Sequence, residues 1–351
     1  MAGTASPAGD DAFGEHELPW IAAAAAEVAG RHRGHALLLQ GRGGDGVFEL
    51  AVRMARASLC EAPDPAAPKP CGHCTACHLM RSHTHPDLRV LMPEAVQVAL
   101  GWGAASSDEG EGDEARSSSS KKKPSKEIRI DAVRSAIDWT QVSSARGLGK
   151  VLLLYPADAM NTVSANALLK TLEEPPAGVR LMLVTEDAER LLPTLRSRCQ
   201  RQVFDGPAPD VALAWLRAQG QAEPAVLLAA AGGQPLAARA LGAEGFDAAA
   251  WRALPRAVAE GRWQPPAAMP LPRLREVLQK LCHDAMAQAA GSPPRYFPAD
   301  SLPAAAAWTK LADWSGALAR LARHDDHPYN APLMTESLLA DARAVWARPR
   351  R

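Results

Sequence analysis

The sequence predicts an α/β fold: a parallel-sheet domain of the phosphate-loop type with an inserted cysteine module, followed by helices alone. Three observations carry that prediction. Short, nearly continuous apolar runs alternate with helical stretches from residue 36 to about residue 207, as in a parallel sheet covered on both faces. A glycine-rich loop follows the first of these runs. After Pro207 the strands stop while helical periodicity continues.

At 351 residues and 47% hydrophobic composition, the chain is expected to bury a substantial core and to form more than one domain. Lys plus Arg and Asp plus Glu balance at 39 each. No global basic field therefore favours autonomous DNA binding, and any nucleic-acid contact is expected to be local or shared with partners. No apolar run reaches transmembrane length, and the start, MAGTASPAGDDAFGEHELPW, lacks a basic segment followed by a continuous apolar one. The expectation is a cytoplasmic protein with no membrane role. Alanine-rich stretches such as IAAAAAEVAG and LPAAAAWTKLADW are good helix material and carry no functional signal.

Taken in order, residues 1–17 read as a disordered extension and residues 18–207 as the α/β domain. Within it come HALLLQ, a helix to about Leu59, DLRVLM, a helix from about Asp131, VLLLY, a helix through SANALLKTLEE, and VRLMLVT. The segment GWGAASSDEGEGDEARSSSSKKKPSKE, residues 101–127, joins an acidic block, a serine run and a lysine block. Such polar low complexity cannot offset its ordering entropy by apolar burial, so it reads as a disordered insertion. Residues 208–243 predict a small helical domain, and 247–348 a helical bundle punctuated by prolines. Trp251, Trp263, Trp308, Trp314 and Trp346 read as packing anchors rather than a stacking platform.

The loop after the first strand, in LLLQGRGGDGVFEL (Leu37–Leu50), keeps the glycines of a phosphate-binding loop at Gly41 and Gly46. Where G-x-x-x-x-G-K-[ST] places a lysine and a hydroxyl, this chain has Val47 and Phe48. Neither can neutralise a phosphate or ligate Mg²⁺. A nucleotide site of this kind also needs acidic residues after the strand VLLL. Tyr155 and Pro156 stand there, and the first carboxylate, Asp158, comes later. Both halves of the site are lost, so no ATP is expected to bind as this chain's own cofactor.

Four cysteines lie close together in the sequence: Cys60, then Cys71, Cys74 and Cys77 in KPCGHCTACHLM. The C-x10-C-x2-C-x2-C spacing lets thiolates converge on one tetrahedral Zn²⁺, in a module spanning residues 60–85. His73, His78, His83 and His85 are alternative ligands, with His73 in the turn more simply solvent-exposed. No open coordination position is evident, so a structural zinc is expected rather than a catalytic metal or a redox pair. Cys282 lies on an apolar helical face and reads as packing.

SANALLKTLEEPP (Ser164–Pro176) and TLRSRC (Thr194–Cys199) resemble the clamp-loader branch of the AAA+ ATPases. With the cysteine cluster, THPDL at Thr84–Leu88 and the missing lysine, the chain is similar to the delta-prime family of bacterial DNA polymerase III clamp-loader subunits. The likeness is strongest from about His35 to Cys199 and weaker through AGGQPLAA. It implies an AAA+ α/β domain, a helical lid (208–243) and a helical collar (247–348) that assembles a five-subunit ring. It also implies the ATPase subunits gamma/tau and the delta subunit as partners, with the sliding clamp and primer-template DNA met through the complex. In such a holoenzyme this chain is not itself an enzyme.

The resemblance gives Arg198, flanked by Ser197 and Cys199, the role of an arginine finger reaching a neighbour's ATP. A permanently charged guanidinium supplied in trans stabilises charge developing on transferring phosphoryl oxygens. Arg196 is the nearby rival, and an arginine just before a strand is otherwise an ordinary surface residue. Ala167, Leu168, Leu169 and Leu172 fit a helix face on the sheet that ends at Pro175, while Lys170, Glu173 and Glu174 fit an exposed or inter-subunit face. Thr185 stands where such ATPases sense the γ-phosphate, a task expected to be vestigial here. Two other readings remain: an irregular active ATPase using Arg42 and Asp158, and a zinc-dependent nucleic-acid-binding module.

Overall fold

Among the described residues five strands form one sheet: β1 (Ala36–Gly41), β2 (Leu88–Leu91), β3 (Lys150–Leu154), β4 (Val179–Thr185) and β5 (Gln200–Phe204). Their order is β2-β3-β4-β1-β5, and every pairing is parallel. The register sets Gln40 of β1 beside Thr185 of β4, and Leu154 of β3 beside Leu183. The segments following β1, β3 and β4 therefore leave at the same edge. The carboxyl edge of a parallel sheet is where α/β folds place their ligands.

The computed structural model describes residues 18–32, 34–64, 67–102, 124–267, 269–323 and 329–347. It divides into two compact units, Met1–Pro207 and Ala208–Arg351. The extension expected at 1–17, and residues 103–123 of the expected insertion, lie outside the described residues.

In the first unit, β1, β3 and β4 are the apolar runs that the sequence shows, and their side chains are almost wholly buried. The strand expected after Arg198 is β5, whose sequence QRQVF is not an apolar run. It lies at the edge, paired only with β1, so partial burial suffices. Helix α1 (Pro19–Arg31) buries Trp20, Ile21, Ala25 and Val28 and packs on α2 (Val47–Leu59). Helices α5 (Ile130–Gln141) and α6 (Thr162–Glu173) pack together. Ala165, Leu168 and Leu172 of α6 join the core with Leu152, Leu154, Leu181 and Leu183. Asn161 caps α6, its Oδ1 accepting Ser164 N–H at 3.0 Å.

Three short helices, α3 (Thr75–Arg81), α4 (Glu94–Leu100) and α7 (Pro193–Arg196), have no long apolar periodicity to announce them. The ends of the segment 101–127 also differ from the disordered reading. Gly101 closes α4, Trp102 packs on Phe48, and Ser125 N–H donates to Glu94 Oε2 at 3.0 Å. Each end is fixed by its neighbour in the fold, a partnership that composition cannot reveal.

The second unit holds α8 (Pro209–Ala218), α9 (Pro224–Ala230), α10 (Pro235–Ala243), α11 (Ala248–Ala259), α12 (Leu271–Ala289), α13 (Trp308–Ala322) and α14 (Ala331–Trp346). Prolines open α8, α9, α10, α12 and α14, where a missing N–H leaves no helical bond unmade. Helices α8, α9 and α10 pack on one another, α12 packs on α13 and α14, and α14 also packs on α11. Trp251 stacks on Phe297 at 4.7 Å, and Trp314 meets Trp346 edge-on at 5.8 Å. Cys282 is buried, with its Sγ 3.6 Å from Leu311 O. Trp308 departs from the packing expectation and is 52% exposed. It opens α13, ahead of the buried stripe Leu311, Trp314 and Leu318. No helix among the described residues is long and apolar enough to cross a membrane.

Candidate functional site

The glycine loop occupies the carboxyl end of β1, where the sequence places it. Gly41 ends the strand with no room for a side chain: a Cβ there would lie 2.8 Å from Phe204 O. The loop tightens into a single 3-10 turn, Gly43–Asp45, and Gly46 at φ +96° turns it into α2. The fold of a phosphate loop is thus present, but its cradle is already in use. Gly43 N–H donates to Glu186 Oε1 at 2.7 Å. A Cβ on Gly43 would lie 3.0 Å from that carboxylate oxygen and 3.1 Å from Tyr155 Oη. Val47 is buried, and the Phe48 ring stacks on Tyr155 at 4.6 Å with an interplanar angle of 28°. Trp102 also meets Phe48 edge-on at 5.6 Å, and His83 stacks on Trp102 at 4.1 Å.

Other polar groups around the loop are also engaged. Arg42 Nε donates to Asp45 Oδ2 at 2.7 Å, and Trp20 Nε1 donates to Asp45 O at 2.9 Å. Asp158 accepts from Thr185 Oγ1 at 2.7 Å and pairs with Arg190 at 2.9 Å. Thr185 Oγ1 is 3.2 Å from Asp187 N–H, so this buried hydroxyl ties the end of β4 to the next turn. Burial, followed by the charges of Glu49, Glu186 and Asp158, pushes the Tyr155 phenol well above its ordinary value. Three carboxylates thus face Tyr155, and the Glu186 carboxylate holds the Gly43 N–H that a phosphate would need.

The four cysteines converge from separate elements. Cys60 caps the end of α2, Cys74 caps the start of α3, and Cys77 lies in the first turn of α3. All four Sγ atoms lie within 4.8 Å of one another, with Cys60–Cys74 and Cys71–Cys77 both at 4.0 Å. Four thiolates placed tetrahedrally at about 2.3 Å from one ion would be about 3.8 Å apart. Backbone N–H groups of Cys71, Cys74 and Cys77 point to Cys60, Cys71 and Cys74 sulfurs at 3.3, 3.4 and 3.4 Å, as suits charged thiolates. The Cys71 thiol is lowered to about 6, foremost by the His73 backbone, whereas burial pushes Cys77 up to about 12. Four cysteine sulfurs at this spacing fit a closed metal site, in which a bound cation would hold them as thiolates.

None of the four histidines joins the cluster. His73 is exposed and lies 2.9 Å from Cys71 O, His78 Nδ1 is 3.1 Å from Arg81 Nη2, and His83 stacks on Trp102. His85 Nδ1 accepts Asp87 N–H at 3.1 Å. The THPDL motif instead ties the cysteine module to the sheet. Buried Asp87 accepts from Ser144 Oγ, Ala145 N and Arg146 N at 2.9, 2.8 and 2.9 Å. Arg146 then forks onto both oxygens of Glu61, the residue after Cys60, at 2.5 and 2.9 Å.

A family model described as DNA polymerase III, delta subunit, matches residues 21–207. The chain belongs to this family. It is similar to the DNA polymerase III subunit delta' of Pseudomonas aeruginosa, at 38% identity over 232 residues, 65% of this chain and 62% of that one. The delta' subunit of Escherichia coli K12 is 36% identical over 222 residues, 62% of this chain and 56% of that one. The match therefore spans about three fifths of these relatives' own length. The tau subunit of Escherichia coli K12 matches at 31% identity over 165 residues, 47% of this chain and 20% of that one.

In this delta-family chain the serine-arginine-cysteine motif follows α7 and precedes β5. Arg198 is partly exposed, its side chain at 34%. Its Nε donates to Glu173 Oε1 at 2.6 Å, its Nη2 meets the same oxygen, and its Nη1 donates to Thr194 O at 2.8 Å. Arg196 is held elsewhere, by Glu189. Ser197 Oγ donates to Thr194 O at 3.1 Å. Cys199 is half-buried against the core, and burial raises its thiol to about 11, so it is a packing group rather than a nucleophile. On α6, Leu168 and Leu172 are buried while Lys170, Glu173 and Glu174 are exposed.

The contacts absent from sequence reasoning are those of Glu186, Trp102 and Trp20. Glu186 follows β4 directly, and knowing that β4 pairs with β1 would have placed it at the glycine loop. The Glu173–Arg198 pair joins two motifs that are visible in the sequence but are 25 residues apart.

Proposed function

We propose that this chain is a clamp-loader subunit that does not hydrolyse ATP itself and that supplies Arg198 to the ATP site of a neighbouring subunit. The observation that carries this reading is the filled pocket, where Phe48 stacks on Tyr155 and Glu186 takes the Gly43 N–H. A phosphate would have to displace the Glu186 carboxylate and enter a site that also faces Glu49 and Asp158. The partners are the ATPase subunits gamma/tau and the delta subunit in a five-membered ring. That ring places the sliding clamp on primer-template DNA as part of the DNA polymerase III holoenzyme, in the cytoplasm.

In this reading residues 18–207 form the AAA+ domain, 208–243 the lid and 247–348 the collar. The cysteine cluster holds a structural Zn²⁺ that closes the module 60–85. The engaged state of Arg42 and Asp158 leaves an active ATPase without its phosphate and Mg²⁺ ligands. The family membership and the balanced charge argue against a free-standing nucleic-acid-binding module.

The test is ATP hydrolysis by a reconstituted loader stimulated by clamp and primed DNA, with wild type or Arg198→Ala assembled to equal extent. A fall of about tenfold or more is expected, within the range an arginine finger contributes. An unchanged rate would sink the trans-acting assignment.

A further inference from the structure

We infer that Glu173 is the positioning residue of Arg198, holding the guanidinium in one conformation before any neighbour arrives. The inference rests on the arginine-finger reading of Arg198 and names what makes that arginine effective. Glu173 is the last residue of α6, a helix anchored on the sheet through Leu168 and Leu172. Its backbone is therefore held by the packed helix, while its side chain is exposed. One carboxylate oxygen, Oε1, takes both Nε and Nη2 of Arg198. Nη1 is taken by Thr194 O at 2.8 Å and Ser197 Oγ at 3.4 Å.

A guanidinium has five N–H donors in a rigid plane. These four contacts use four of them and leave one N–H of Nη2 for an incoming phosphoryl oxygen. An arginine free in solvent would lose about 2 kcal/mol of side-chain freedom on engaging a partner. Here that ordering is already done within the subunit. The rival Arg196 is tied to Glu189 instead, so Glu173 acts on one arginine only.

An exposed ion pair of this kind contributes little to folding, about 0–1 kcal/mol. Replacing Glu173 should therefore leave the subunit folded and the ring assembled. A group positioned about 1 Å off its place can lower turnover up to about a hundredfold.

The experiment measures stimulated ATP hydrolysis by the reconstituted loader carrying Glu173→Ala, Glu173→Gln, Arg198→Ala or the double variant Glu173→Ala/Arg198→Ala. Glu173→Ala is expected to lower kcat about tenfold with KM for ATP unchanged, as for loss of an interaction made in the transition state. Glu173→Gln, which keeps an accepting oxygen at the same place, should restore most of the rate. The double variant should be no slower than Arg198→Ala alone, because both changes remove the same interaction. If Arg198→Ala slows the loader but Glu173→Ala leaves kcat unchanged or raises it, the positioning role is overturned and the finger stands. A Glu173→Gln variant as slow as Glu173→Ala also overturns it. If Arg198→Ala itself has no effect, the finger reading fails first.

Discussion

Phe48 and Tyr155 stack face to face at 4.6 Å, each at a position where a nucleotide site needs a polar group. Phe48 stands for the hydroxyl that would ligate Mg²⁺, and Tyr155 for the acid that would complete the ligand set. Their mutual contact turns two losses into one packed structure, so restoring the missing motif alone should not restore the site. Val47→Lys/Phe48→Thr is expected to remain without tight Mg²⁺-dependent ATP binding, as read by calorimetry on the purified chain, because Tyr155 and Glu186 still line Gly43. Micromolar or tighter binding by that variant would show that the pocket is open.

Phe48 is also a structural residue. Its ring is buried in contact with Tyr155 and Trp102, and truncating such a side chain costs about 3–5 kcal/mol. Phe48→Ala should lower the urea midpoint accordingly. A change below about 1 kcal/mol would mean that the stack contributes little beyond an exposed contact.

The cysteine cluster predicts one zinc per chain by elemental analysis. Chelation or Cys74→Ser should lower the unfolding midpoint of the first unit by at least about 5 °C, because metal binding to a closed site is also folding energy. A metal-free preparation with an unchanged midpoint would remove zinc from the account.

Asp87 predicts a pH dependence. Burial works to raise its carboxyl pKa, but the Ala145 and Arg146 N–H groups and the Ser144 hydroxyl outweigh it and hold the value below the ordinary range. A carboxylate depressed in the folded state contributes stability that is complete above its unfolded value, about 3.9, and lost as pH falls through the folded value. Asp87→Asn should therefore be less stable than wild type by about 2 kcal/mol at pH 7. That gap should narrow below about pH 4. Urea titrations of both proteins across this range read the gap directly, and a constant gap would show that the charge is not what matters.

Much of the first unit was legible in the sequence because its signals are local. Apolar runs gave β1, β3 and β4, a spacing pattern gave the cysteine set, and the glycine loop marked the end of β1. What was not legible depends on strand order. Glu186 and Tyr155 are far from Gly43 along the chain, and only the order β2-β3-β4-β1-β5 brings their strand ends together. The edge strand β5 was expected only from its place after Arg198, since QRQVF is not an apolar run, and the ends of segment 101–127 were masked by a composition that does not show Ser125 bonded to Glu94.

The second unit was legible as helices but not in what fixes its loops, and Asp284 shows why. An acid beside His283 near the end of the charged helix α12 has the pattern of a surface residue, yet Asp284 is fully buried. Its oxygens accept the backbone N–H groups of Arg295, Tyr296 and Phe297 at 2.9, 2.7 and 2.8 Å, and Oδ1 also lies 2.8 Å from His283 Nδ1. This holds the turn that stacks Phe297 on Trp251, whose Nε1 donates to Tyr296 O at 3.0 Å. Asp284→Ala removes the acceptor from three backbone donors at once and is expected to cost at least about 2 kcal/mol. The loosened stack should also appear as a shift in tryptophan emission. Asp284→Asn keeps one accepting oxygen, so it should fall between wild type and alanine in urea denaturation. Equal stability of all three proteins would show that the turn is held by the Trp251–Phe297 stack alone.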